Sequence, residues 1–240
     1  MATKRKSDGS DGGFSKQLRS NYNATITVLV SPSEASFTVH KDLICRNSKF
    51  FDKACSGDWK EARERTVRLA GTNASFFQIY VEKLYFPTAS LYDNTADALR
   101  PSAKPFLVMD RNEVLFQLCQ IWALGDYLQD HGFQNAVVDT LAMKAAQELP
   151  SGSTVEWVVG NTSTDSPLRR WLVNALIPYL TSAPLAAALL DELTGKLPAD
   201  FLMLLLKLRV KSLPASFRGP APLGDKCMYH VHPEGTAKCA

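Results

Sequence analysis

The chain has 240 residues, 45% hydrophobic and 21% charged, a composition that excludes a disordered or collagen-like polymer and fits one large globular unit with or without an appended module. Its formal net charge of +3 resides in residues 1–20, where Lys4, Arg5, Lys6, Lys16 and Arg19 outnumber Asp8 and Asp11. Removing those five and two from totals of 27 and 24 leaves 22 basic and 22 acidic residues, so the basic face that supplies most nucleic-acid affinity is not visible and nucleic acid is not an expected partner.

Residues 1–20 are polar, contain Gly and Ser and lack periodicity, which predicts a disordered basic tail. Lys4-Arg5-Lys6 has the form of part of a nuclear localisation signal, a weak motif that any mobile tail can carry. The amino terminus lacks the apolar core of a signal peptide, so a cytoplasmic and/or nuclear location is expected. Five cysteines are present, and Cys45, Cys55 and Cys119 fall within apolar helical stretches. They read as buried thiols of a reducing compartment and not as a disulfide framework. Without secretion, the glycosylation patterns at Asn23, Asn73 and Asn161 are chance matches.

From Ala24 the pattern alternates, with Ala24, Ile26, Val28 and Val30 on one face; Ser31-Pro32-Ser33-Glu34 forms a turn, and Phe37 and Val39 resume the alternation. This predicts a β-hairpin ending at His40. One helical turn then carries Leu43, Ile44 and Cys45, and a second carries Phe50, Phe51, Ala54 and Cys55. Ser48 is placed to cap the second turn, and Gly57 to end it in a left-handed conformation. The mixed charges of Lys60 to Arg65 predict a solvated loop, not a binding patch. Thr66–Leu69 alternates as a short strand, and Asn73 caps a helix whose Phe77, Tyr80, Val81, Leu84 and Tyr85 recur at core-facing spacing before Pro87 closes it.

Residues 93–112 hold Pro101 and Pro105 with little periodicity and are expected to form a loop insertion. A helix is predicted from Glu113 to Gln129, with Leu115, Leu118, Cys119, Trp122 and Leu124 as apolar members. Another follows His131-Gly132 with Phe133, Val137, Val138 and Leu141, and ends before Pro150.

The stretch His40-Lys41-Asp42-Leu43-Ile44 through Ser48-Lys49-Phe50-Phe51 resembles the signature of the BTB (POZ) domain. Two more segments extend the likeness: Ile121-Trp122-Ala123-Leu124-Gly125-Asp126-Tyr127-Leu128 is similar to the family's later helix, and Phe133-Gln134-Asn135-Ala136 to its fungal continuation. Asn23 stands where fungal members commonly carry Asp, and Phe86-Pro87 follows Leu84-Tyr85 where the family has Thr-Gly. The resemblance implies an α+β BTB/POZ fold, a small β-sheet capped by α-helical hairpins over residues 21–148. It also implies a non-catalytic protein–protein interaction module that self-associates, with Leu43 and Ile44 as candidate homodimer contacts, and/or acts as an adaptor for a larger assembly. Tyr85 lies near the cullin-docking position of some animal members, so a cullin-type ubiquitin-ligase substrate adaptor is an alternative. A transcription regulator is a further one, although it needs a DNA-reading module that the balanced charge does not supply.

Residues 149–211 read as a helical extension like that of many fungal BTB proteins, with helices at Ser153–Gly160, Pro167 to about Thr181, Leu185–Thr194 and Pro198–Lys211. Ser166-Pro167 has the form of a cap followed by proline in the first turn. Residues 171–190 are uncharged, but Pro178, Pro184 and Asn174 divide them into two core helices, so no membrane partner is expected.

The tail, residues 212–240, is rich in Pro and Gly and holds Cys227, His230, His232 and Cys239. Two thiolates and two imidazoles satisfy tetrahedral zinc, which predicts one structural metal site; the alternatives are a flexible terminus with coincidental ligands and a stress-induced Cys227–Cys239 disulfide. The same cluster resembles the closing motif of fungal BTB proteins. Catalysis finds no support: Gly195-Lys196 has Leu190 in place of the first phosphate-loop glycine and Leu197 in place of its Ser or Thr, and no nucleophile motif is present. Neither an enzyme nor a catalytic cofactor is expected.

Overall fold

A computed structural model describes residues 23–88, 91, 111–146, 149–178, 187–188, 191, 193, 195–211 and 230–232. The alternating segments pair as antiparallel strands β1 (Thr25–Val30) and β2 (Ala35–His40), with Ile26 opposite Val39 and Val28 opposite Phe37. A third strand, β3 (Thr66–Leu69), runs parallel to β1 on its other side, with Val28 opposite Val67 and Val30 opposite Leu69. Parallel strands need a long crossover. Here it includes the short helices α1 (Lys41–Asn47), α2 (Lys49–Ala54) and α3 (Lys60–Glu64). Because side chains alternate along a strand, Ile26, Val28, Val30, Val39, Val67 and Leu69 are all buried.

Two local signals act as the sequence predicts. The Ser48 hydroxyl accepts from the amide of Phe51 at the start of α2, and Gly57 has φ +73° beyond its end. Residues 60–64 depart from the expected loop by forming α3. Lys60 and Glu64, four apart, form an exposed ion pair at 3.7 Å that supports one helical turn, and no residue of α3 is buried. The segment is thus solvated, as its charges imply, but helical.

Helix α4 (Ala74–Tyr85) begins at Asn73, whose side chain accepts from the Ser75 amide. Helices α5 (Arg111–Tyr127) and α6 (His131–Ala145) pack on each other. Residues 93–110 of the expected insertion lie outside the described residues, and Arg111 and Asn112, also assigned to it, belong to α5. A Cβ at Gly125 would stand 2.9 Å from the side chains of Phe133 and Gln134, so glycine is what lets α6 approach α5 so closely. Helix α6 also starts earlier than expected, at His131, because Asp130 caps it.

Helices α7 (Gly152–Asn161) and α8 (Pro167–Leu176) continue the same hydrophobic core, α7 against α5 and α8 against α6 and α7. Phe116 meets Trp157 edge to face, ring centroids 6.0 Å apart. Helix α8 stops at Leu176, short of Thr181, with a turn at Ile177 and Pro178. The helix read at Leu185–Thr194 is only partly described, with residues 187, 188, 191 and 193 helical. The last described helix, α9 (Ala199–Lys211), buries Phe201 and Leu205 one turn apart. No helix among the described residues is long and apolar enough to cross a membrane.

Candidate protein-interaction site

The corner between α1 and α2 is fixed from below by buried polar groups. Ser48 is fully buried; its hydroxyl donates to the Leu128 carbonyl at 2.6 Å while accepting from Phe51 at 3.2 Å, and the Phe50 amide donates to the same carbonyl at 3.3 Å. The end of α5 is thereby tied to the start of α2. Next to it the Tyr80 hydroxyl of α4 donates to Asp130 Oδ2 at 3.1 Å, and Asp130 Oδ1 accepts from the Phe133 amide at 2.9 Å. Burial, then the charge of Asp130, pushes the Tyr80 hydroxyl far up. Burial also holds the Asp130 carboxyl above its ordinary value, against the opposing hydrogen bonds from Phe133 and Tyr80. Each of these polar groups has its partners, so the network acts as a structural lock on α2, α4, α5 and α6.

Above this lock the sequence-predicted contact residues separate. Leu43 is half-buried on α1, but Ile44 is fully buried in the core. Ile44 is therefore corrected from a contact residue to a packing residue: a seven-residue helix lying on the core turns one of two adjacent apolar side chains inward. Tyr85 is exposed at the end of α4, and its hydroxyl accepts from the His40 amide at 3.1 Å and meets His40 Nδ1 at 2.7 Å. The hydroxyl thus bridges the main chain and the ring of His40. The ring of Tyr85 is thus held in place while its edge remains open.

Three further exposed aromatics were not legible as contacts. Trp59, 67% exposed, follows the left-handed turn at Gly57; Phe86 follows Tyr85; and Tyr127 lies with its ring centroid 5.1 Å from that of Phe50 on α2. Trp59 and Tyr85 stand just outside the two ends of α1–α2, and Tyr127 packs against its side. The sequence gives Trp59 little signal: it lies between Asp58 and Lys60, with only Cys55 and Ala62 at helical spacing.

Residues 14–120 match the family profile described as the BTB/POZ domain. The chain carries a BTB/POZ domain. Such a domain is a protein–protein interaction module, and its three-stranded sheet with surrounding helices and the helical extension beyond make an α+β BTB/POZ fold. The match ends inside α5, so α6 to α9 lie beyond the matched residues. No curated protein matches the chain.

The tail of this BTB/POZ chain touches α6. His230 Nε2 lies 3.0 Å from Asp139 Oδ1, with the imidazole 7% exposed. The Val231 amide donates to Asn135 Oδ1 at 2.8 Å, and the Val231 carbonyl accepts from Asn135 Nδ2 at 3.3 Å. Asn135 and Asp139 are one turn apart on α6 and grip consecutive residues of the tail. The His230 and His232 ring centroids are 6.1 Å apart. Cys227 and Cys239 lie outside the described residues, and among those described no group of three or more ligands gathers. The histidine pair fits a zinc ion in one respect: metal-bound imidazoles commonly give their second nitrogen to a carboxylate, as His230 gives Nε2 to Asp139.

Proposed function

We propose that the chain is a non-catalytic interaction module that pairs with a second copy of itself across the face around α1 and α2, and in that form serves as an adaptor for a larger assembly. The observation that carries this reading is the placing of Leu43, Trp59, Tyr85 and Tyr127 on and around one corner that buried hydrogen bonds hold rigid. Exposed aromatics bury much area for little lost side-chain freedom, and a two-fold axis lets one face cover its own copy. Sedimentation velocity on the full chain at micromolar concentration is expected to give a dimer. A monomer throughout that range would remove self-association. The second role is tested by capture of a cullin beside a competent control protein; the exposed ring of Tyr85 supports it, and absence of the cullin would remove it.

We also propose that Cys227, His230, His232 and Cys239 hold one structural zinc ion, His230 binding through Nδ1 while Asp139 orients its ring. The contact between His230 and Asp139 supports this reading. Four protein ligands leave no open position, so the ion would order the tail and supply no catalysis. Elemental analysis of protein purified without a histidine tag is expected to find about one zinc per chain. Metal-free wild-type protein with a native fold would overturn it.

A further inference from the structure

The tail and α6 meet through one side chain that reads main chain and another that reads a side chain. Asn135 presents its whole amide to Val231: Oδ1 accepts from the Val231 N–H at 2.8 Å, and Nδ2 donates to the Val231 carbonyl at 3.3 Å. Both main-chain groups of one residue are satisfied as a neighbouring strand would satisfy them, so the contact requires an N–H at that position but no particular side chain. One turn along α6, Asp139 Oδ1 meets His230 Nε2 at 3.0 Å, with the imidazole almost covered. A phenyl ring in its place could not make that bond. Phe133, Val137, Val138 and Leu141 bury the opposite face of α6, so the spacing of Asn135 and Asp139 is set by a helix anchored in the core. His230, Val231 and His232 belong to no helix or strand, and residues 212–229, which separate them from α9, can span up to about 60 Å when extended. The docked segment can therefore leave α6 without moving α9.

We propose that Asn135 and Asp139 form a peptide-recognition site for an extended segment in which histidine is followed by a residue other than proline, and that the chain's own His230-Val231-His232 fills this site as a releasable strap. The strap excludes the same segment offered on a separate molecule, because its tether holds it near α6 at an effective concentration of about a millimolar. A free peptide gains the site once the strap is released. The site lies on α6 and not on the α1–α2 corner, and it depends neither on self-association nor on zinc: its contacts use the Val231 main chain and His230 Nε2.

The test uses the full chain, with a metal chelator present throughout, and a fluorescein-labelled peptide of residues 228–236, which contains His230-Val231-His232 but neither Cys227 nor Cys239. Val231→Pro in the chain removes the N–H that Asn135 accepts, and so releases the strap while keeping all four proposed zinc ligands. Fluorescence anisotropy is expected to show the peptide binding this variant at least tenfold more tightly than the wild type. Adding Asn135→Ala to the Val231→Pro chain should weaken binding at least tenfold, and Asp139→Ala should do the same; both positions face outward on α6, and either one decides the matter where the other folds poorly. A peptide carrying Val231→Pro or His230→Phe should bind the released chain at least tenfold more weakly than its parent. No binding to the Val231→Pro chain, equal binding to it and to the wild type, or binding indifferent to the α6 substitutions would overturn the proposal. A His230→Phe peptide that binds as tightly as its parent would also overturn it, since the site would then take an apolar side chain and not read an imidazole.

Discussion

Of the three serines that precede described helices, Ser48 and Ser166 are buried, and the fold uses these two differently. Ser48 makes two hydrogen bonds, one to the helix it caps and one to Leu128, 80 residues away in the chain. Ser166, before α8, is also buried, yet its hydroxyl makes no cap and has no hydrogen-bond partner among the described residues. Pro167 at the first helical position presets φ, so α8 can start without the hydroxyl. What ties α7 to α8 is Arg169, whose Nη2 donates to the carbonyls of Val159 and Thr162 at the end of α7, placing a cation where the helix dipole favours one. The same local signal therefore carries different weight according to what faces it across the core.

Four substitutions sharpen this contrast. Arg169→Met should have the largest effect, about 3 kcal/mol in urea unfolding, because two carbonyls in a dry corner lose a charged donor. Ser48→Ala should cost about 2 kcal/mol, the cap together with the bond to Leu128. An effect below about 0.5 kcal/mol would show that the corner is held by packing alone.

The third change is read against pH. Burial raises the Asp130 pKa above its ordinary value of 3.8, so its neutral form suits the folded chain; the stability this provides is complete below that value and is lost as pH rises through the folded one. Asp130→Asn keeps a side-chain acceptor for Phe133 but does not titrate. Unfolding curves should therefore show the wild type losing ground to this variant as pH rises above about 4, and parallel curves would contradict the assignment. Ser166→Ala should change stability least, within about 0.5 kcal/mol, since it removes a buried hydroxyl that has no partner.

The sequence made legible what is decided within a few residues. Ser48, Gly57 and Asn73 act at the helix ends where their chemistry places them, and the alternation of Ile26, Val28 and Val30 marks the buried face of β1. It did not disclose that Tyr80 meets Asp130, or that Asn135 and Asp139 grip the tail, because those partners are 50 and more than 90 residues apart. Leu43 and Ile44 could not be told apart because α1 is too short for periodicity to assign an inward position. Lys60 to Glu64 has no apolar stripe to announce a helix. The open aromatics at Trp59 and Tyr127 became visible only when the elements around them were in place.

Under the proposed pairing, the α1–α2 corner and not the helical extension is the face on which the chain associates. Sedimentation equilibrium on Trp59→Glu and Met203→Glu tests this most directly, since both wild-type side chains are exposed, 67% beside the corner and 50% on α9, and neither change should disturb the core. The expected result is a wild-type dimer, weakening of the Trp59→Glu dimer by at least a factor of about 10, equivalent to about 1.4 kcal/mol, and no change for Met203→Glu. Dissociation of Met203→Glu with Trp59→Glu unaffected would contradict it and move the interface to the extension.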